Sequence, residues 1–514
     1  MDKMLRPVGA PFLRRLLRLV VLPGTLLITC FLPAVAEAGV ARSGKRFPAF
    51  QSCVTGRMAV AERTPCTTLS TPQETPLHLD TAALAISPTG DNLYASGHVT
   101  GRVSNFIRDP VSGGLSFHDC VIGGTNDSQE PCSAIRTAPQ YSDTGLADPG
   151  AVALSPDGRS VYVLATGDKT IATFARDPAT GALSFRQCLG GPNPEPSDLP
   201  CTPLPGGGKH HLSLLTEPAD LAVSPDGRSV YVTSVVGGVV EFSRAAATGD
   251  LIFQGCLTDT QTVRGCRRVR GPGMRPPIDY GTDIEISPDG RLVFTLRGAV
   301  IVAFGRDRQD GSLSYRSCTT SALRRRPDFR VRGCSFFPGR RDFDVDDFVS
   351  PIALALSPDG RWLYAGSIRG TVASFRISSR GRLEFRECVT ANWLAKKYCR
   401  TVPGARHHPK EKFGASGTLA IAPDGRHLYS GSLGGSSLAS FGLFKNGRLR
   451  FEGCVSGSTR LARAGFIHCK EISGASSNGS LSSLRYVAAL AVSPDSRWVY
   501  AGSSPDQSLV AFHR

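Results

Sequence analysis

The sequence lacks the short motifs that identify several large enzyme classes. It contains no Gly-x-Ser-x-Gly nucleophile elbow, no His-Glu-x-x-His zinc motif and no Walker phosphate-binding loop. Beyond residue 31 it also lacks an apolar run long enough to cross a bilayer. These absences argue against an α/β-hydrolase, a zinc protease, a P-loop nucleotidase and a membrane-spanning protein.

The cysteines lack the Cys-x-x-Cys spacing of a zinc site. Without the first 38 residues, which contain Cys30, 14 of the 15 cysteines remain. An even number of cysteines in an exported chain predicts disulfides, each worth about 3 kcal/mol in the chain-entropy model. Local pairing treats every repeat alike, and pairing with the next repeat is the alternative. Each predicted pair closes a loop between two units of an internal repeat. The pairs are Cys53/Cys66, Cys120/Cys132, Cys188/Cys201, Cys256/Cys266, Cys318/Cys334, Cys388/Cys399 and Cys454/Cys469.

The first 38 residues are typical of a cleavable signal peptide. A basic region precedes the apolar run 19–31, which proline and glycine interrupt, and Ala36-Glu37-Ala38 has the A-x-A form of a cleavage site. We therefore predict that residues 39–514 form one domain that is secreted or delivered to the periplasm or cell envelope. An N-terminal membrane anchor and a lipid-modified Cys30 are the alternatives.

The chain contains a sevenfold internal repeat. The unit at 151–188 predicts four short strands at 152–155, 160–164, 170–175 and 182–187, joined by tight turns. One such sheet is apolar on both faces, so radial stacking into a β-propeller would bury both. The Ser-Pro anchor of the unit, which is Ala-Pro once, places its prolines at Pro88, Pro156, Pro225, Pro288, Pro358, Pro423 and Pro494.

The two ends of the chain predict how the ring closes. An unpaired fourth strand with its cysteine loop occupies 46–66, and the last unit stops after its third strand at 512–514. The N-terminal strand would therefore complete the last blade, giving an all-β fold of seven four-stranded antiparallel blades without open sheet edges. A linear β-solenoid is the alternative, and it would leave both fragments unpaired.

The repeat resembles known propeller repeats. The stretch 221–231, with Leu-Ala-Val-Ser-Pro-Asp-Gly-Arg and a following tyrosine, looks like the YVTN-type repeat. The stretch 174–185 resembles the blades of the propeller lactonase family, which includes the 6-phosphogluconolactonase type. The resemblance covers 47–514, with one cysteine-stapled loop per blade as a variation. It implies a propeller fold and hydrolysis of a sugar or organic-acid lactone at the channel mouth, with no cofactor.

Two carboxylates are the catalytic candidates. Glu285 replaces an alanine that the other six units share in their first strand, and Asp283 lies two residues earlier on the same side. The first strand is innermost in a propeller, so these groups are expected near the central channel, where desolvation raises a carboxyl pKa. The alternative is a structural glutamate held by a hydroxyl or an arginine.

Basic charge is concentrated in the long connecting loops. Without the predicted signal peptide the chain has 54 basic and 41 acidic residues, a net charge of +13. The segments 256–283, 318–350, 388–417 and 454–485 contribute 22 basic and 10 acidic residues, and meander geometry places these loops on one face. This favours an anionic extracellular or cell-envelope ligand. The candidate ligand-binding residues are Arg267, Arg268, Arg324, Arg325, Arg326, Lys396, Lys397 and Arg400.

The leading hypothesis is therefore a monomeric binding module, with a lactonase-like hydrolase as the alternative; whether the protein is an enzyme stays open. Aromatic residues are too sparse in the loops to indicate specific nucleic-acid binding, and a solvated basic rim remains an alternative to any ligand. No metal is assigned, because the acidic cluster 342–347 lacks the glycine and distal glutamate of a calcium loop. The histidine pairs 210–211 and 407–408 offer no further ligands.

Overall fold

Seven β-sheets lie around a common channel and close into a ring. The four long strands of each sheet run antiparallel, which confirms the predicted seven-bladed all-β propeller. The computed structural model describes residues 48–62, 64–69, 78–123, 132–135, 145–190, 201–204, 213–259, 265–269, 278, 281–320, 334–336, 351–368, 370–391, 399–402, 416–459, 469–476 and 482–514. No helix in these ranges is long and apolar enough to span a membrane.

Strand order within each blade follows chain order. The chain begins with β1 (Ala49–Thr55), the helical turn α1 (Met58–Ala61) and β2 (Thr67–Thr68). Blade 1 contains β3 (Ala83–Ile86), β4 (Asn92–Gly97), β5 (Arg102–Arg108), β6 (Leu115–Ile122) and β7 (Cys132–Ala134). Blade 2 contains β8 (Pro149–Leu154), β9 (Ser160–Ala165), β10 (Thr170–Arg176) and β11 (Leu183–Gly190). Blade 3 contains β12 (Asp220–Val223), β13 (Ser229–Ser234), β14 (Gly238–Arg244), β15 (Leu251–Thr258) and β16 (Cys266–Arg268).

The remaining blades repeat this arrangement. Blade 4 contains β17 (Asp283–Ile286), β18 (Leu292–Arg297), β19 (Val300–Arg306), β20 (Leu313–Thr320) and β21 (Ser335–Phe336). Blade 5 contains β22 (Pro351–Leu356), β23 (Trp362–Ser367), β24 (Thr371–Ile377), β25 (Leu383–Thr390) and β26 (Arg400–Thr401). Blade 6 contains β27 (Ser416–Ile421), β28 (His427–Ser432), β29 (Ser437–Leu443), β30 (Leu449–Ser458) and β31 (Lys470–Ser476). Blade 7 contains β32 (Val487–Val492), β33 (Trp498–Ser503) and β34 (Ser508–His513), completed by β1 and β2.

The N-terminal strand closes the ring, as predicted. β1 pairs antiparallel with β34, with Ala49 opposite His513 and Thr55 opposite Ser508. Phe50 packs edge-to-face on Phe512 with ring centroids 6.2 Å apart, which repeats the phenylalanine pair between the third and fourth strands of other blades. The last blade is thus assembled from both ends of the chain, and its third strand has no open edge.

A fifth strand was not predicted. In six blades a short segment that carries or follows the second cysteine of the stapled loop pairs parallel to the outer edge of the fourth strand. In blade 2 the equivalent contact is a single bridge between Leu189 and Thr202. The predicted four-stranded blade is therefore extended at its outer edge.

All seven cysteine pairs are joined within their own repeat, which confirms the local pairing. The two Cα atoms of each pair are 4.3 to 4.7 Å apart. The disulfides join Cys53 to Cys66, Cys120 to Cys132, Cys188 to Cys201, Cys256 to Cys266, Cys318 to Cys334, Cys388 to Cys399 and Cys454 to Cys469.

The place of the second cysteine differs from the prediction, which put it in a loop between blades. Cys132 and Cys266 lie in the fifth strand itself. The other second cysteines lie directly before the segment that pairs with the fourth strand; they are Cys66, Cys201, Cys334, Cys399 and Cys469. The reason is that each disulfide holds two backbone segments side by side, so the residues after the second cysteine continue the sheet. Each bond therefore fastens its loop to the sheet edge.

Neighbouring blades are joined by a repeated polar contact. Between blades 2 and 3, the Arg244 guanidinium donates to the Tyr162 hydroxyl at 2.8 Å, and that hydroxyl donates to the carbonyl of Gly249 at 2.7 Å. Arg244 also donates to Asp157 in the Ser-Pro-Asp-Gly turn of blade 2 at 2.8 Å. The turn residues thus hold the next blade as well as reversing the chain. The same tyrosine, arginine and glycine contacts recur at Tyr94–Arg176–Gly181, Tyr231–Arg306–Gly311 and Tyr500–Arg108–Gly113.

Candidate functional site in the central channel

The first strands of the seven blades surround the central channel. They contact one another around the ring from β3 through β32, and β32 contacts β3. Many of their residues are only partly buried, although the second strands behind them are almost fully buried. In most blades the first and third positions of the four-residue strand core are both alanine, as at Ala83 and Ala85. A small-residue lining leaves room inside the channel.

Three carboxyl groups interrupt this lining on one side. Asp283 and Glu285 occupy the two positions in β17, and Asp220 occupies the first of them in β12 of the preceding blade. All three side chains are partly exposed. The structure therefore brings both predicted catalytic candidates together and adds a third carboxyl group beside them.

Asp220 is the residue that the sequence analysis missed. Its Oδ2 accepts a hydrogen bond at 3.0 Å from the backbone amide of Ile284, the residue between Asp283 and Glu285. Comparing the third position of the first strand revealed Glu285. The same comparison at the first position, where five of the other units have alanine or threonine, would have revealed Asp220. The available signal was an aspartate five residues before the anchor proline in two adjacent repeats.

Asp283 reaches in the same direction into blade 5. Its Oδ2 accepts a hydrogen bond at 2.8 Å from the backbone amide of Leu354. Its carboxyl group is also close enough to Asp220 to share a hydrogen bond with it. The two aspartates thus form a chain of carboxyl groups that crosses from blade 3 to blade 5.

The pKa values of all three groups are raised. Burial, partly offset by the Ile284 amide, raises the pKa of Asp220 to about 6. Burial, and then the negative charge of Asp220, raises the pKa of Glu285 to about 8. Burial, and then the charges of Asp220 and Glu285, raise the pKa of Asp283 well above its usual value. Near pH 7 the site therefore contains an ionised Asp220 and a protonated Glu285, with Asp283, whose pKa is also raised, beside them.

No basic side chain neutralises these groups within the described ranges. The ion pairs found there involve other carboxylates, and Glu285 has no hydrogen-bond partner among the described residues. Within the described ranges, no hydroxyl or arginine holds Glu285. Carboxyl groups with separated pKa values in a channel can act as general acid and general base.

The predicted basic ligand site is described only in part. Arg267 donates to Glu241 at 2.9 Å, and Arg400 donates to Glu387 at 2.9 Å, so both arginines are engaged with carboxylates of their own blades. Arg268 is exposed. Arg324, Arg325, Arg326, Lys396 and Lys397 lie outside the described residues, as do the acidic cluster 342–347 and the histidine pairs 210–211 and 407–408. In the described part of the chain, no three His, Cys, Asp or Glu side chains are grouped to hold a metal ion.

Comparison with known proteins finds distant structural likenesses only. No protein-family model and no curated protein sequence matches the chain. Among solved structures, a Bacteroides uniformis protein described as a candidate 6-phosphogluconolactonase is 17% identical over 72% of this chain and 83% of its own, with a TM-score of 0.46. The periplasmic gluconolactonase of Pseudomonas aeruginosa is 18% identical over 72% and 83%, with a TM-score of 0.44. A Lactobacillus plantarum protein is 15% identical over 77% and 86%, with a TM-score of 0.48. At such scores the activity must be argued from the site itself.

Proposed function

We propose that the protein is an exported hydrolase that opens a lactone ring in the central channel, with Asp220 as general base and Glu285 as general acid. The observation that carries this proposal is the cluster of three carboxyl groups in an otherwise alanine-rich channel, in which the pKa of Asp220 is about 6 and that of Glu285 is about 8. The seven disulfides are consistent with an extracytoplasmic location. Secretion and cleavage after Ala38 belong to the proposal.

The proposed reaction needs only water and the substrate. The Asp220 carboxylate takes a proton from a water molecule as the water oxygen attacks the lactone carbonyl carbon. The bond between that carbon and the ring oxygen then breaks, and Glu285 donates its proton to the departing oxygen. The product is a hydroxy acid, and the proton on Asp220 returns to Glu285 through water. Asp283 acts as a positioning residue, because its hydrogen bond keeps Asp220 in place.

The pH dependence of turnover tests this assignment. Asp220 must be ionised and Glu285 protonated, so kcat/KM should rise through about pH 6, peak near neutrality and fall through about pH 8. A pH-stat assay on γ- and δ-lactones of sugars and organic acids, with the purified mature protein, measures this profile. Glu285→Gln and Asp220→Asn should each lower turnover by roughly 10²- to 10⁴-fold, the usual contribution of one acid–base group.

A matched control is available in the same channel. Thr418 is the polar residue at the position in blade 6 that corresponds to Asp220, so Thr418→Ala should leave turnover unchanged. The proposal is rejected if no lactone is opened above the uncatalysed rate, or if Glu285→Gln retains full activity while the pH profile stays the same.

A second candidate function is binding of an anionic ligand to the loop face. The exposed Arg268 side chain and the excess basic charge of the connecting loops favour it. Retention on a heparin column should then fall as salt rises, and replacing Arg324, Arg325 and Arg326 by glutamate should abolish it. Replacing Arg267, which is paired with Glu241, should have a smaller effect. Retention that does not depend on salt or on these residues removes this function.

A further inference from the structure

A cleft of about 700 Å³ lies between blades 4 and 5, away from the channel and from the stapled loops. Its wall comes from the turns that join β17 to β18, β19 to β20 and β24 to β25, which lie on the face opposite the loops. Four exposed arginines line it, and none of them forms an ion pair within the described ranges: Arg291, Arg308, Arg316 and Arg380. Positive charge is therefore concentrated in a concave part of the turn face.

In blade 2, the arginine equivalent to Arg316 has a carboxylate partner. In blade 2, Arg186 stands two residues before a cysteine and forms a two-fold contact with Asp250 of blade 3, at 3.1 and 3.2 Å. Arg316 occupies the same position in blade 4. The residue that corresponds to Asp250 in blade 5 is Arg382. Arg382 therefore offers Arg316 no carboxylate of the kind that Asp250 offers Arg186.

Gly305 lies next to the Arg316 guanidinium and has no side chain. A Cβ atom at Gly305 would lie 2.3 Å from Arg316 Nε, so only glycine lets the guanidinium rest across β19. The corresponding residue in blade 2 is Ala175, where the arginine turns towards the next blade instead. Glycine here therefore leaves room for the Arg316 guanidinium to lie against the cleft wall.

Little negative charge offsets the arginines. Asp307 is the acidic residue in the cleft wall, and its Oδ1 already accepts a hydrogen bond from the Gln309 amide at 2.7 Å. Arg306, the fifth arginine of the wall, is buried and paired with Asp226 at 2.9 Å, so it contributes no net charge. Among the residues that line the cleft, several guanidinium groups are left with no counter-charge beyond Asp307.

We propose that this cleft binds a small ligand that carries a phosphate or sulfate group, with Arg316 and Arg308 as its main contacts. Guanidinium groups match the oxygen geometry of such anions and bind them through paired, charge-assisted hydrogen bonds. The cleft is larger than a single ion, so it takes an ester of the anion rather than the ion alone. The site is independent of the channel and of the reaction proposed there.

Calorimetric titration of the mature protein with pyrophosphate, glucose 6-phosphate and glucose 6-sulfate tests this site at low and at physiological salt. Binding of the phosphate ester alone, or of the sulfate ester alone, identifies the source of the anion. Arg316→Gln and Arg308→Gln should each weaken binding by about ten-fold or more, the usual loss for one charge-assisted contact. Arg186→Gln, the matched change in blade 2, should leave the affinity unchanged, and none of these variants should alter lactone turnover.

Arg380→Gln is the second variant for this test. If Arg316→Gln lowers the unfolding midpoint, Arg380→Gln on the exposed turn provides the second variant, and it should also weaken binding. The proposal is overturned if the wild-type protein binds none of the three probes at millimolar concentration, or if Arg316→Gln and Arg380→Gln bind them as well as Arg186→Gln does.

Discussion

At the scale of single residues, the channel carboxyl groups lower the stability of the protein. Six repeats have a small alanine at the Glu285 position, whereas a carboxyl group there must be kept protonated or bear a desolvation cost. The pKa of Glu285 is about 8 in the folded protein and 4.5 without these neighbours. A residue with this cost and no partner among the described residues is better explained by a role in chemistry than by a role in folding.

Replacing Glu285 by glutamine should stabilise the protein at alkaline pH. The folded protein binds the Glu285 proton more tightly than the unfolded chain does, so this group's contribution to stability is complete below about pH 4.5 and is lost as pH rises through about 8. Glutamine does not ionise, so the variant does not lose stability in this way as pH rises. Urea unfolding should show the variant more stable than wild type by roughly 2 kcal/mol at pH 8.5, allowing for water in the channel, and nearly equal to it at pH 5. An equal difference at both values would contradict the raised pKa.

At the scale of elements, the blade interface depends on one arginine from each of several third strands. The Arg244 side chain is 3% exposed and joins Tyr162, Asp157 and its own turn carbonyl at Gly227. Gly249 is part of the same contact, because its φ of +79° and the closeness of Ser160 Oγ leave no space for a side chain. Between blades 4 and 5 the tyrosine and arginine are Phe294 and Ile377, so this particular contact is apolar there.

Arg244→Met should destabilise the protein by about 2 kcal/mol, because it removes the donor to a buried tyrosine hydroxyl and breaks the ion pair with Asp157. Arg228→Met changes an exposed arginine of the same blade and should stay within about 0.5 kcal/mol of wild type. Denaturant midpoints of the two variants measure the difference. Equal midpoints would mean that the polar contact adds nothing to packing of the blades.

At the scale of the whole molecule, the two ends of the chain share blade 7. The ladder between β1 and β34 runs from Ala49 to Thr55, and the bond between Cys53 and Cys66 fastens the loop that follows. Removing this strand would open the edge of β34 and expose Phe512, which is fully buried. The stability of the closed ring therefore depends on the first strand.

A mature chain that begins at residue 58 should lose the cooperative unfolding of one that begins at residue 45, and it should form aggregates through β34. Size-exclusion chromatography and thermal unfolding compare the two chains. A synthetic peptide of residues 45–69, added in trans, should restore a monomeric elution volume to the shortened chain. A shortened chain that stays monomeric with an unchanged unfolding midpoint would show that β1 is dispensable.

The repeat made much of the architecture readable from the sequence alone. Turn residues such as Pro156 and Gly158 act locally, and the alternation of strand residues has a period of two, so both can be read without knowing the fold. Seven copies then predicted the number of blades, the closing strand and the local disulfides, because one rule had to suit every unit. The fifth strand escaped because most of its copies, such as Ser335–Phe336, have only two or three residues, too few to show any periodicity.

Tertiary structure alone decided which side chains meet. Asp220 and Glu285 are 65 positions apart, and the hydrogen bond from the Ile284 amide to Asp220 brings them near each other only because the first strands of two blades are aligned. The engagement of Arg267 by Glu241, and that of Arg186 by Asp250 of the next blade, likewise arise between strands from different hairpins or blades. Sequence spacing determines strands and turns because their forces are local, whereas the chemistry depends on packing across the ring.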